Sequence, residues 1–290
     1  MDETTSNNFE TNFEYLKSIS SKIRYNLIAM MAFAGSGHPG GSLSMVEILA
    51  TLYYGKFLKY DPDNVNKPDR DRLILSKGHA SPTLYVVLAD LGYFPKSCLR
   101  DFDAAGSTLP KHCDRLKTPG IEASTGSLGH GLSFAIGVAL AAKLDKKNYH
   151  TYVMLGDGET NEGQIWEAAA AASHYKLDNI TALIDRNYLQ IDGNTEKIMR
   201  LESIRDRWNS FGWYVIEIDG HDIKKILEAL CEANENLISP TMIILNTIKG
   251  KGVSFMENNV DFHGVPPNKM EYNLAIEELD ILEKKLEALN

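Results

Sequence analysis

Cysteine is scarce. The 290 residues hold three, Cys98, Cys113 and Cys231, with no paired spacing. That excludes a disulfide framework or a cysteine-based zinc site, and the expectation is a reducing, cytoplasmic compartment. Excess positive charge is also missing: 30 Lys and Arg face 39 Asp and Glu, for a net charge of −9. Nothing here calls for nucleic acid or an acidic membrane as a partner. No apolar run approaches the roughly 18 residues of a membrane span. The first basic residue is Lys17, with no basic-then-apolar leader before it, so a secretory signal is not expected. There is no internal repeat and no Gly-x₄-Gly-Lys-Ser/Thr nucleotide loop. What remains, 43 % hydrophobic and 24 % charged, is the composition of a globular protein long enough to bury a large core.

The central stretch runs from Thr151 to Asn187 and reads as strand, tight turn, helix and strand. Tyr152 to Leu155 is a short apolar run suited to a buried parallel strand. Gly156-Asp157-Gly158 breaks it, and glycine permits backbone shapes closed to other residues. Glu162 to Tyr175 suits a helix, and Ile180 to Ile184 the next strand, with Asp185-Arg186-Asn187 at its carboxyl end. Ligands of open parallel sheets bind beyond the carboxyl ends of strands, which places Asp157 and Asn187 side by side. A carboxylate, an amide oxygen and a nearby backbone carbonyl are hard ligands suited to Mg²⁺.

Elsewhere the pattern predicts a polar, flexible tail over 1–12, with helices from Phe13 to Phe33 and from Ser42 to Leu58. Ser42 or Ser44 is the expected cap of the second. Strands are expected at Leu73–Leu75, Tyr214–Ile218 and Thr241–Thr247. Helices are expected at Ser81–Leu91, from His130 to about Leu144, at Leu201–Phe211 and at Ile223–Asn236, and Gln190–Met199 reads as a loop. The last helix, Asn273–Leu289, carries a narrow seam of Ala275, Leu279, Leu282, Leu286 and Leu289, expected to pack on the same body. Five strands alternating with helices give one α/β domain over 13–290 with a largely parallel sheet.

Histidines mark the site. Of eight, six lie in loops or at element ends: His38, His79, His112, His130, His221 and His263. All but His112 adjoin a glycine. Several imidazoles at one binding edge suit phosphate oxygens and proton movement near neutral pH. His174 and His150 read as a helix-face and a surface residue.

Gly156-Asp-Gly158, then 28 residues, then Asn187 resembles the metal–diphosphate motif of thiamine-diphosphate enzymes. That family often has Asn-Asn where this chain has Arg186-Asn187. Further pieces are Ser36-Gly-His-Pro-Gly40, Ser76-Lys-Gly-His-Ala80, Ser124-Thr-Gly-Ser-Leu-Gly129, Glu162-Gly163, Asp219-Gly-His-Asp222, Lys249-Gly-Lys-Gly-Val-Ser-Phe255 and His263-Gly264. Together, from about residue 13 to 270, the chain resembles the amino-terminal, diphosphate-binding part of transketolase.

The resemblance implies the thiamine-diphosphate-binding fold, with helices on both faces of the sheet. It implies that Asp157, Asn187 and the Leu189 carbonyl hold Mg²⁺, or Ca²⁺ or Mn²⁺ in its place. It implies that His79 and His263 contact the cofactor diphosphate, and that His38, His112 and His263 surround the reacting carbons. Gly126, Ser127 and Leu128 would belong to the loop on the aminopyrimidine, with Gly156, Gly158 and Glu159 completing the cofactor contacts. Glu162 would link active sites across a subunit interface. The family commonly shows His-Pro where this chain has His112-Cys113, and His130 reads as structural. The family's second domain, with the glutamate that protonates the aminopyrimidine, has no counterpart here. The implied partner is therefore a separate carboxyl-terminal transketolase subunit in an α2β2 assembly, with sugar phosphates as substrates. The alternatives are the α subunit of a 2-oxoacid dehydrogenase's decarboxylating component, and a cofactor-binding paralogue without activity.

Overall fold

The computed structural model describes residues 3–287. In chain order the helices and strands are α1 (Glu3–Ala34), α2 (Pro39–Leu43), α3 (Val46–Tyr54), β1 (Arg72–Leu75), α4 (Ser81–Asp90), α5 (His130–Leu144), β2 (Thr151–Gly156), α6 (Gly163–His174), β3 (Ile180–Arg186), β4 (Leu189–Gln190), β5 (Gly193–Asn194), α7 (Thr195–Ile198), α8 (Ile204–Ser210), β6 (Tyr214–Asp219), α9 (Ile223–Glu235), β7 (Thr241–Asn246) and α10 (Lys269–Glu287). Short 3₁₀ turns lie at Gly78–Ala80, Lys96–Asp101, Gly158–Asn161 and Val260–His263.

Five strands form one sheet in the order β1-β2-β3-β7-β6, every neighbour parallel. Strand side chains alternate between faces, so each strand feeds two cores. Tyr152 and Met154 of β2, with Leu183 of β3, pack against α1, α3, α4 and α9. Val153 and Leu155, with Ala182 and Ile184, pack against α5, α6 and α8. Helices thus cover both faces, which explains why β2 and β3 read as unbroken apolar runs. The small residues Ala168, Ala169 and Ala172 of α6 are buried, letting that helix lie close to the sheet.

Four expectations are corrected. α1 starts at Glu3, inside the stretch read as a flexible tail; no glycine or proline interrupts the chain before Gly35. The helix expected over Ser42–Leu58 is two, α2 and α3; Met45 stands at the N-cap of α3, and Ser44 ends α2 instead of starting a helix. Pro39 opens α2 after His38, while the Ser44 hydroxyl donates to Asp185 instead, at 2.6 Å. The expected loop Gln190–Met199 contains the small antiparallel hairpin β4–β5 and α7, whose Asn194 cap accepts from the Glu196 amide. The helix expected from Leu201 starts at Ile204, capped by Ser203. In α10, Ala275 and Leu279 are buried on the core that includes α1, as the seam requires. The side chains of Leu282 and Leu286, and Leu289 altogether, lie outside the described residues. Among the described residues no helix is long and apolar enough to cross a membrane.

Candidate active site

The register sets the site. β2 ends with Gly156 opposite Asp185 of β3, so Asp157, one residue on, and Asn187, two residues on, emerge together at the carboxyl edge. A cavity of about 350 Å³ opens there, lined by His38, His79, His112 and His263, by Gly126, Leu128 and Gly158, and by Asp157, Asn187 and Leu189. Residues from seven separate stretches therefore converge on one space.

The four histidines form a cage. The His38 ring centroid lies 5.2 Å from that of His79, 5.8 Å from His112 and 5.7 Å from His263, and His79 stacks on His263 at 5.3 Å. Burial and nearby cations favour neutral imidazoles. His38 is lowered to about 4 by burial, then by Lys111, His112 and Lys249. His263 is lowered to about 3 by burial, then by Lys249 and His38. His79 is pushed well below its usual value by burial and Lys77, and His112 is lowered by burial and Lys111. Buried His38 Nδ1 has no hydrogen-bond partner among the described residues. Such an orphaned atom fits a site that a polar ligand completes.

These shifts carry a sign. A histidine whose pKa falls on folding binds fewer protons native than unfolded, so stability rises with pH between the two values. For His38 and His263 the window runs from about 6.5 unfolded down to about 4 and about 3. The melting temperature of the ligand-free chain is expected to fall as pH drops from 7 to 5, and His38→Asn with His263→Asn to flatten that slope. Scanning calorimetry across this range checks it; an unchanged slope in the double variant refutes it.

The opposite wall is ionic. Asp157 is 2 % exposed and accepts from the amides of Gly158 and Tyr188, both at 2.7 Å. Burial, then Asp185, raises its pKa, so the carboxylate lacks enough compensating charge. Asp185 is fully buried and is held below the usual carboxylate range by Lys77, Ser44 and Thr247, against its own burial. Lys77 Nζ donates to Asp185 at 2.5 Å and to the Gly41 carbonyl at 2.8 Å. Lys249 Nζ donates to the Leu189 carbonyl at 3.0 Å and lies 2.7 Å from His263 Nδ1; burial lowers it to about 8. The Asn187 amide donates to Asp185 at 3.0 Å, and its oxygen accepts from the Leu189 amide at 3.1 Å. Among the described residues no three His, Cys, Asp or Glu side chains cluster as a metal site. An all-oxygen set of one carboxylate, one amide and one carbonyl falls outside such a grouping and suits a hard divalent cation. Two buried ammonium groups and neutral imidazoles beside it suit diphosphate oxygens.

Other expected residues divide. Gly126 has φ +149°, and a side chain there would meet the His112 ring at 3.2 Å. Leu128 lines the cavity, whereas Ser127 is exposed and lies off it. Glu159 borders the cavity, but its carboxylate is taken up by protein donors: Ser76 Oγ and the amides of Gly129 and Gly156, each amide at 2.9 Å. It ties together the ends of β1 and β2 and the loop before α5. Glu162 is the exposed N-cap of α6, away from the cavity. His130 is exposed at the start of α5, also off the cavity. His221 accepts from the Ile248 amide at 2.8 Å and contacts Glu47 at 3.1 Å, which pairs with Arg24. It braces the loop that carries Lys249. Cys113, beside His112, is buried, and burial pushes its thiol up to about 12. Sequence reasoning did not single out Lys77, Lys249 and Asp185, although all three stand inside the segments quoted above.

Comparison with known proteins fits this arrangement. Residues 16–285 match the family described as transketolase, thiamine diphosphate binding domain. A 6-deoxy-6-sulfo-D-fructose transketolase subunit from a Clostridium species is 48 % identical over 246 residues, covering 85 % of this chain and 89 % of that one. An apulose-4-phosphate transketolase subunit from Phocaeicola vulgatus is 43 % identical, covering 96 % of this chain and 98 % of that one. Human transketolase is 37 % identical over 91 % of this chain but only 42 % of its own length. The Campylobacter jejuni transketolase structure superposes with a TM-score of 0.83 at 31 % identity, covering 94 % of this chain and 48 % of that one. The chain thus spans about half of the solved transketolase and nearly all of the two subunits.

Proposed function

The chain belongs to the transketolase family through its thiamine-diphosphate-binding domain, and from that premise we propose that it is one half of a two-chain transketolase. It would move a two-carbon ketol unit from a ketose phosphate to an aldose phosphate, with a separate carboxyl-terminal subunit completing each site in an α2β2 assembly. The observation that carries this reading is the convergence of four imidazoles and an oxygen donor set on one cavity. Two relatives of nearly the same length, both named as transketolase subunits, support the split arrangement.

Bound thiamine diphosphate would supply the carbanion chemistry of ketol transfer. Asp157, Asn187 and the Leu189 carbonyl would hold Mg²⁺, leaving its other positions to diphosphate and water. Lys77, Lys249 and His79 stand where they would neutralise diphosphate charge. His38, His112 and His263 would orient substrate hydroxyls and accept or return their protons, which neutral imidazoles do near pH 7. Glu162, exposed at the head of α6, would face the partner side of an assembled site.

The names of the two relatives indicate substrates beyond the ordinary pentose phosphates. The test is therefore run on three ketoses: xylulose 5-phosphate, apulose 4-phosphate and 6-deoxy-6-sulfofructose, each with Mg²⁺, thiamine diphosphate and an aldose phosphate acceptor. Activity is expected only when this chain is mixed with its carboxyl-terminal partner. Full activity of the chain alone overturns the split reading. A mixture that binds cofactor but transfers nothing favours an inactive paralogue. Decarboxylation of pyruvate or a branched oxoacid would return the oxoacid reading.

A further inference from the structure

Arg186 is 1 % exposed, an unusual place for a guanidinium. Its Nη1 lies 3.3 Å from Asp157 Oδ2 and donates to Thr195 Oγ1 at 2.8 Å. Its Nη2 donates to Glu196 at 2.7 Å and to Glu202 at 2.8 Å. The guanidinium carbon sits 4.0 Å from the Tyr188 ring centroid. Only Nε lacks a partner among the described residues.

Apart from Asp157, everything Arg186 grips belongs to one stretch, 188–202. That stretch makes one wall of the cavity through Leu189, Gln190, Ile191 and Asp192. Its strands β4 and β5 are two residues each and pair only with each other, not with the main sheet. A hairpin this small has no independent stability. Leu201 anchors the far end in the core, and Lys249 reaches the Leu189 carbonyl. Between them the buried fork of Arg186 holds Thr195, Glu196 and Glu202 in one geometry, which a point-charge lysine does not do.

The geometry points to Arg186 as a positioning residue that orders this flap, together with the carboxylate of Asp157, before any cation or diphosphate arrives. The cofactor side of this inference rests on the proposed function. A binding-competent state that is already populated raises apparent affinity, and a state that must first be ordered lowers it. Arg186 therefore acts on cofactor affinity through the flap, touching neither substrate nor cofactor.

The flap offers its own probe, since Lys197 and Arg200 are exposed trypsin sites. In the full ligand-free chain, Arg186→Met is expected to speed cleavage at these two bonds by roughly tenfold or more, with cleavage in α9 unchanged. Added Mg²⁺ and thiamine diphosphate should slow it again, and their dissociation constant should rise about tenfold. Arg186→Lys should rescue neither effect. Glu202→Ala removes a carboxylate that bonds Arg186 and leaves both the sheet and the flap's own backbone bonds in place, and should also speed the cleavage. It decides the matter if Arg186→Met does not fold. Native cleavage rates in the variants, or equal acceleration along the whole chain, overturn the inference. Faster flap cleavage without cofactor protection, both in the chain alone and in its mixture with the carboxyl-terminal subunit, upholds the clamp and sinks the cofactor-site reading instead.

Discussion

Asp157→Asn is expected to abolish useful cofactor binding while leaving the ligand-free chain about as stable as before. Two effects on stability oppose each other. The Asp157 carboxylate is buried beside Asp185, and its raised pKa marks it as a charge the ligand-free fold holds unwillingly. Asparagine removes that charge. It also turns one acceptor into a donor, so either the Gly158 amide loses its bond or the Tyr188 amide and Arg186 do, at about 1–3 kcal/mol. The melting temperature should therefore move by only about 3 °C, or roughly 1 kcal/mol. Binding has no such offset. Outer partners of metal ligands typically matter by 10–100-fold, so losing the one charged ligand should weaken Mg²⁺-dependent uptake of thiamine diphosphate on the order of a hundredfold or more. Titration calorimetry beside thermal melts reads both quantities. Native affinity in the variant means the metal assignment is wrong.

One strand away, Asp185 should behave in the opposite way. It is fully buried and takes side-chain donors from Lys77, Ser44, Asn187 and Thr247. Asp185→Ala leaves the Lys77 ammonium buried without its counter-ion, which typically costs about 3–5 kcal/mol. The melting temperature should drop by roughly 10 °C. Its lowered pKa means this contribution is present above the usual carboxylate range and fades as pH falls below it. The cycle closed by Lys77→Met and the double variant should show the two losses to be less than additive, because one stranded charge harms more than a missing pair. A melt of Asp185→Ala within 2 °C or so of the native chain would falsify the account. Neighbouring aspartates at one sheet edge thus separate into one that holds the fold and one kept available for a ligand.

The sequence makes most of the histidine cage legible because His38, His79 and His263 each adjoin a glycine in a loop or at an element end. His112 has no such neighbour and is legible only through the family resemblance; the structure brings all four to one cavity. Lys77, Lys249 and Asp185 were not singled out, since nothing in a local window separates a buried ion from a solvated one. Their burial comes from partners far along the chain: Asp185 is 108 residues from Lys77 and 141 from Ser44. The same long reach takes up the Ser44 hydroxyl, which bonds Asp185 and does not cap α3. The hairpin β4–β5 was invisible for another reason, because two-residue strands show no periodicity. Parallel pairing was readable from the apolar runs, whereas the order β1-β2-β3-β7-β6 is a matter of crossovers that no window contains.

The brace around His221 also fixes where individual hydrogens sit. His221 Nε2 accepts from the Ile248 amide, so in the neutral ring the proton lies on Nδ1, facing Glu47. At His263 the Lys249 ammonium donates to Nδ1, which leaves the proton on Nε2. Two imidazoles at either end of the loop carrying Lys249 are thereby locked as opposite tautomers. Nitrogen-15 spectra of selectively labelled histidine should resolve them as two mirror-image patterns of long-range coupling. An occupant that draws Lys249 away would release one pattern and leave the other untouched, giving a spectroscopic gauge of the pocket's state that needs no substrate.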